Sequence, residues 1–223
     1  MRCLSFCFGR TGIRHVSILK RLDPRAILGR PTAYGLHSRI AAPEARKRFF
    51  VERFLHPAPG ERVLDIGCGT APLLEYMPEV DYVGFDLSQS YIEEARLRFG
   101  ERGTFHNRVL TPDVVGEQEP FDLAMAIGVV HHLDDAEAET LFRVAHDALA
   151  PGGRLVTCDG AIVQGQNLIA RLLLSVDRGQ HVRTPAAYEA LARRVFQDVS
   201  FGVHHDLNAY PYTHCVLTCG KPG

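Results

Sequence analysis

Val63-Leu64-Asp65-Ile66-Gly67-Cys68-Gly69-Thr70 decides the fold. Apolar residues around one acid predict a short strand. The glycines after it predict a tight turn into a helix near Pro72–Tyr76, and glycine there lets a ligand approach the backbone closely. A lone Gly-x-Gly carries little weight, and the next segment adds the rest. Tyr82-Val83-Gly84-Phe85 predicts a second strand ending at Asp86. An acid about 20 residues after such a turn accepts hydrogen bonds from a ribose diol. The two segments together predict a site for an adenosine-type ligand.

The same alternation of strand and helix extends outward. Pro43–His56 predicts a helix with Ala45, Phe49, Phe50 or Val51, and Phe54 on one side, closed by Pro59-Gly60. Ser88 is placed to cap a helix through Phe99, with Glu93 and Glu94 early and Arg96 and Arg98 late. Strands are expected at 104–110, 121–127 and 154–158. A helix capped by Asp134 or Asp135 runs to Leu149, and 166–176 and 185–195 read as helical. Two alternating runs, 199–205 and 213–218, lack a helix between them and predict a hairpin. The class is α/β, a Rossmann-like, seven-stranded, mostly parallel sheet with helices on both faces and an antiparallel C-terminal strand. Residues 1–42 read as an N-terminal segment. Residues 43–223 read as the domain, with a helical lid insertion at 160–197.

The glycine turn also discriminates between ligands. A dinucleotide fingerprint wants a third glycine where this chain has Pro72. Asp65, at the mouth of the turn, repels a pyrophosphate but attracts an ammonium group. The alternative for Asp65 is a charge satisfied by backbone N–H groups at a helix start. S-adenosylmethionine (SAM) is adenosine joined to a cationic amino acid, so the balance moves from NAD to SAM.

VLDIGCGT, YVGFDLSQSYIEEAR, PFDLAMAIGVVHHL and LAPGGRLV, in that order, resemble a class I SAM-dependent methyltransferase over about residues 60–160. The resemblance implies that Asp65, Gly67, Cys68 and Gly69 form the SAM loop. It implies that Asp86 holds the ribose, that Leu87 packs on adenine, and that Ile127 and Gly128 lie along the methionine part, with His132 near it. A front segment often folds over SAM in such proteins, which brings Tyr34 to the methionine end. One departure stands out. Relatives often carry an acid after the third strand that accepts from the adenine amino group, and here Val109 takes that slot, with Asn107 or a backbone carbonyl as substitutes.

Methyl transfer needs alignment and exclusion of water, and a base only when the nucleophile must lose a proton. His131 and His132 follow the fourth strand at the edge where such sheets bind ligands, and imidazole suits that task. The alternative is that they are packed residues shaping the pocket. Asp159, ending the fifth strand, orients a substrate or caps the next segment. Arg178 and Arg183 offer bidentate grips for an acceptor carboxylate or phosphate, or pair with Asp177 inside the lid. Tyr210 and Tyr212 are placed to line the acceptor pocket. The histidine pair favours O- over N-methylation. The tail loosely resembles bacterial biosynthetic methyltransferases, which implies a natural-product or surface-saccharide acceptor; the acceptor is read as a small or medium polar molecule, free or linked to a carrier or peptide. A non-catalytic SAM-binding module and an NAD-dependent oxidoreductase are the competing readings.

Composition bounds the rest. In 223 residues, Lys+Arg 25 nearly balances Asp+Glu 26, so bulk basicity for a nucleic-acid partner is missing. No apolar run reaches the ~20 residues of a membrane helix, and Leu168–Val176 is broken by Arg171. The first acid is Asp23, after five basic residues, which reads as a leader or a transit-like segment without a secretory pattern. Six scattered cysteines without a CxxC pair read as free thiols in a reducing cytoplasm, and no metal is expected.

Overall fold

The computed structural model describes residues 43–175 and 179–223. Tyr34 and Arg178 therefore lie outside the described residues. Seven strands form one sheet: β1 (Arg62–Ile66), β2 (Asp81–Phe85), β3 (Gly103–His106), β4 (Phe121–Ile127), β5 (Leu149–Gly160), β6 (Asp198–His204) and β7 (His214–Gly220). Their order is β3-β2-β1-β4-β5-β7-β6. Only β7 runs against the rest, paired antiparallel with both β5 and β6. The chain steps outward from β1 to β3, then returns to the other side of β1 with β4. That reversal creates a crevice at the carboxyl edge between β1 and β4, the usual ligand position in such sheets.

The helices are α1 (Glu44–Phe50), α2 (Gln89–Phe99), α3 (Pro112–Val115), α4 (Asp135–Ala148), α5 (Leu168–Ser175) and α6 (Pro185–Ala192). Successive residues of one strand feed opposite faces. Val63 and Leu123 join Phe50, Leu55 and Ile92 in one core cluster. Leu64 and Ala124 join Phe142, Ala145, Tyr188 and Leu191 in the other. Burial on both faces is why the strands read as near-continuous apolar runs.

Local chemistry explains where the elements depart from the sequence reading. Asp134, rather than Asp135, caps α4: its carboxylate accepts from the Ala136 and Glu137 amides at 3.0 and 2.9 Å. Glu137 closes a capping box on the Asp134 amide at 3.0 Å. The helix expected at Pro72–Tyr76 is one 3-10 turn, Leu74–Tyr76, because Met77 is already extended ahead of Pro78. β3 ends at His106, not Leu110, and Asn107 turns to donate to the Asp86 carbonyl at 3.1 Å. Ser88 occupies the N-cap of α2, but its hydroxyl lies 3.1 Å from Ser90 Oγ and makes no cap bond.

Within 160–197 the structure separates two parts. α6 packs into the core through Tyr188, Leu191 and Ala192. Residues 179–183 instead cross the carboxyl edge, where Ala161 bridges to Arg183. α5 buries Ala170 and Leu174 and turns Leu168, Ile169 and Leu172 outward.

Candidate active site

The glycine turn is built from below. The Gly67 and Cys68 amides both donate to the Phe85 carbonyl, at 2.8 and 3.0 Å. Gly67 has φ +77°, and a Cβ there would lie 2.7 Å from Val129 Cγ2. Both the backbone and the space at this position therefore require glycine. A Cβ on Gly69 would meet nothing within 4 Å, so the loop is open on that side. Asp86 ties the loop to β2. Its Oδ2 accepts from the Gly69 amide at 2.9 Å and its Oδ1 from the Ser88 amide at 2.7 Å. Burial raises its carboxyl above the ordinary value, against the pull of those N–H groups. The Leu87 amide adds to that pull, and the carboxylate, with about four acceptor positions, retains capacity for a hydroxyl donor. Leu87 stands 38% exposed beside it, an apolar surface for a flat base.

Asp65 is only 5% exposed. Its Oδ2 accepts a 2.5 Å hydrogen bond from the Tyr82 hydroxyl. Burial pushes its carboxyl up to about 7; the Tyr82 bond pulls it down and the Asp86 charge pushes it up. It is not a carboxylate satisfied by helix N–H groups. Cys68 is buried beneath the loop, and burial pushes its thiol far above the ordinary range. Two carboxylates, an open glycine and an exposed leucine fit a cationic adenosyl ligand. The adenine acid has no counterpart: an Asn107 N–H is spent on Asp86, and Val109 is half-buried.

Ile127 ends β4 half-buried, and the Gly128 amide returns to the Cys158 carbonyl at 2.8 Å. The next turn carries His131 and His132, whose rings lie 4.2 Å apart. His131 is 7% exposed and Asp159 is 1% exposed. Asp159 Oδ1 accepts from the His131 amide at 3.1 Å and stands 2.8 Å from its Nδ1. In the tautomer that donates from Nδ1 to Asp159, Nε2 is the accepting nitrogen of the ring. A Cβ built on Gly128 would lie 3.8 Å from His131 Cε1, so the ring edge faces Gly128. Asp159 thus acts on His131 rather than capping the next segment. Its Oδ2 is buried with no hydrogen-bond partner, as is Gln166 Oε1.

Arg183 does not serve an acceptor. Its Nε and Nη2 donate to Asp135 at 3.0 and 2.8 Å. Nη1 donates to the Val130 and His181 carbonyls, and Nη2 also to Leu133. All five N–H groups are used within the protein. They clamp residues 181–183 to the turn that bears the histidines. Gly179 sits directly over His131, where a Cβ would be 2.0 Å from Cδ2. Tyr212 is buried with its hydroxyl against Gly160, and Tyr210 is half-buried at 6.1 Å from it. Tyr212 is therefore packing at the edge of β5, not open lining. The sequence reading missed Tyr82; Tyr188, within the lid insertion, donates to the Gly160 carbonyl at 2.9 Å. A tyrosine inside an otherwise apolar strand was the signal for Tyr82. Among the described residues no three His, Cys, Asp or Glu side chains converge as a metal site.

Comparison with known proteins follows this geometry. A family profile described as a methyltransferase domain matches residues 64–155, from β1 into β5. Those residues form a methyltransferase domain. A ubiquinone biosynthesis O-methyltransferase of Chelativorans sp. (strain BNC1) is 33% identical over 141 residues, 58% of this chain and 54% of that protein. A probable tRNA methyltransferase 9B of Homo sapiens is 33% identical over 108 residues, 48% of this chain and 23% of that one. The S-adenosylmethionine-dependent methyltransferase SibL superposes with a TM-score of 0.65 at 22% identity, covering 86% of this chain and 58% of SibL. The chain spans about half the length of the curated bacterial relatives it matches. The methyltransferase profile ends in β5, so α5, α6, β6 and β7 lie outside it.

Proposed function

We propose that this methyltransferase moves a methyl group from SAM to a hydroxyl of a small or medium polar acceptor in a biosynthetic pathway. The His131–Asp159 pair beside Gly128 carries this reading. The O-methyltransferase relatives support it. When bound, SAM supplies an electrophilic methyl group on a sulfonium. The chain supplies the rest. Asp86 holds the ribose hydroxyls, Leu87 covers the base, and Asp65 provides negative charge for the cationic end. His131 Nε2 takes the acceptor's hydroxyl proton, and Asp159 stabilises the imidazolium through Nδ1. His132, whose ring is tilted 38° against that of His131, borders the same space. Residues 179–183, clamped by Arg183, exclude water from His131.

The acceptor class extends to carrier-linked or peptide-linked molecules. The balance of charges gives no support to a nucleic-acid acceptor. A cytoplasmic location is part of the reading, supported by the free buried thiols of Cys68, Cys158, Cys215 and Cys219. The test is release of S-adenosylhomocysteine over a panel of phenols, saccharides and amines. Turnover with hydroxyl acceptors that collapses in His131→Gln supports the reading. Turnover with amines alone, undiminished in that variant, contradicts it.

A further inference from the structure

Tyr82 is a large polar side chain within the core. It is the second residue of β2, fully buried, and its ring rests beside Phe105 at 5.6 Å. Register puts Tyr82 opposite Val63 and Gly84 opposite Asp65. The tyrosine and the aspartate therefore share a sheet face, one pair apart. The ring reaches the carboxylate only because Gly84 has no side chain. A Cβ there would stand 3.1 Å from Tyr82 Cε1 and 2.8 Å from Cys68 Sγ. A Cβ on Gly103, on the other side of the ring, would stand 2.9 Å from Tyr82 Cδ1. Two glycines thus hold a slot for this ring, and its hydroxyl meets Asp65 Oδ2 at 2.5 Å.

The surroundings of Asp65 give that bond its weight. Asp86 at the end of β2 adds a like charge, and Cys68 from the loop is a neutral thiol. Across β4 its register partner is Met125, which is apolar. Tyr82 is thus the one side-chain donor to the carboxylate among the described residues. We infer that Tyr82 is a positioning residue for Asp65, aiming its carboxylate from the sheet toward the glycine loop for uptake of a cationic cofactor. The inference rests on the SAM reading of the groove.

The sign follows from the chemistry. A hydroxyl donor favours the charged carboxylate, so its loss moves Asp65 to a higher titration midpoint. At pH 7 less of the protein is then ready for a cation, and raising the pH restores it. The experiment compares wild type with Tyr82→Phe. Carbon NMR follows the Asp65 carboxyl in the ligand-free protein, and calorimetry measures SAM affinity at pH 6, 7 and 8. The ligand's own amino group titrates in this range, and its effect cancels in the ratio of the two affinities.

For a midpoint raised by about one pH unit, the variant binds about fivefold more weakly at pH 7 and about twofold more weakly at pH 8. In an Asp65→Asn background, Tyr82→Phe makes no pH-dependent difference. A thermal melt of each variant establishes that it is folded. An Asp65 carboxyl that titrates at the same pH with and without the hydroxyl overturns the inference, as does an affinity ratio flat in pH. No SAM uptake by the wild type at any of the three pH values overturns the cofactor reading itself.

Discussion

At the residue scale, Asp86 does two tasks with one carboxylate. It fixes the loop through the Gly69 and Ser88 amides, and in the proposed function it also accepts from the ribose. Asp86→Ala removes the ribose acceptor and loosens the loop. A hydrogen bond to a charged group is worth about 1.5–3 kcal/mol, so SAM affinity falls roughly 10- to 100-fold in a calorimetric titration. An unchanged affinity would misplace the ribose contact. Asp159→Asn keeps the shape beside His131 but removes the charge that sets its tautomer. Methyl transfer falls about 10²- to 10⁴-fold, the usual worth of acid–base assistance, while SAM affinity holds. These residues differ in how far the sequence exposed them. Asp65, Gly67, Gly69 and Asp86 follow from spacing along two adjacent strands. The Asp159–His131 bond spans 28 residues and two strand ends, so spacing gives the edge but not the partner. Tyr82 has the same character: its partner depends on strand register and on Gly84 having no side chain.

At the element scale, the turn after β4 is held by Arg183 from another part of the chain. Five donors meet Val130, Leu133, Asp135 and His181. Arg183→Met leaves the His181 and Leu133 carbonyls short of a partner, Val130 keeping the Leu133 amide, and frees residues 179–183 from His131. Stability falls by about 2–4 kcal/mol in denaturant titration, and amide exchange around 179–183 accelerates. A variant with unchanged stability would show that these bonds are replaced by water without loss. Charge and spacing made Arg183 resemble an anion grip, because an unpaired arginine and a saturated one look alike in sequence. The strands were legible because both faces are buried, and their ends were not. Pro78 cuts the first crossover to one turn, and Asn107 bends away from β3 to serve Asp86.

At the scale of the whole molecule, the strand order and the lone antiparallel β7 follow from a hairpin appended to alternating strands and helices. Burying Asp65 in that sheet has a global consequence. Its carboxyl titrates at about 7 when folded, above the ordinary value of 3.8. The folded state holds this proton where the unfolded chain has released it. Ligand-free stability therefore declines as pH rises from about 4 to about 7 on account of this group, then levels off. Asp65→Asn removes that slope, which thermal melts across the range will read.

SAM at about 100 times its Kd adds about 2.7 kcal/mol and raises the melting temperature by roughly 5–10 °C. The central claim is that the crevice between β1 and β4 is a SAM site. Calorimetric titration of the purified protein with SAM and, separately, with NAD tests it most directly. Saturable uptake of SAM with no heat from NAD is the predicted result. Uptake of NAD, or no uptake of SAM between pH 6 and 8, would contradict the account.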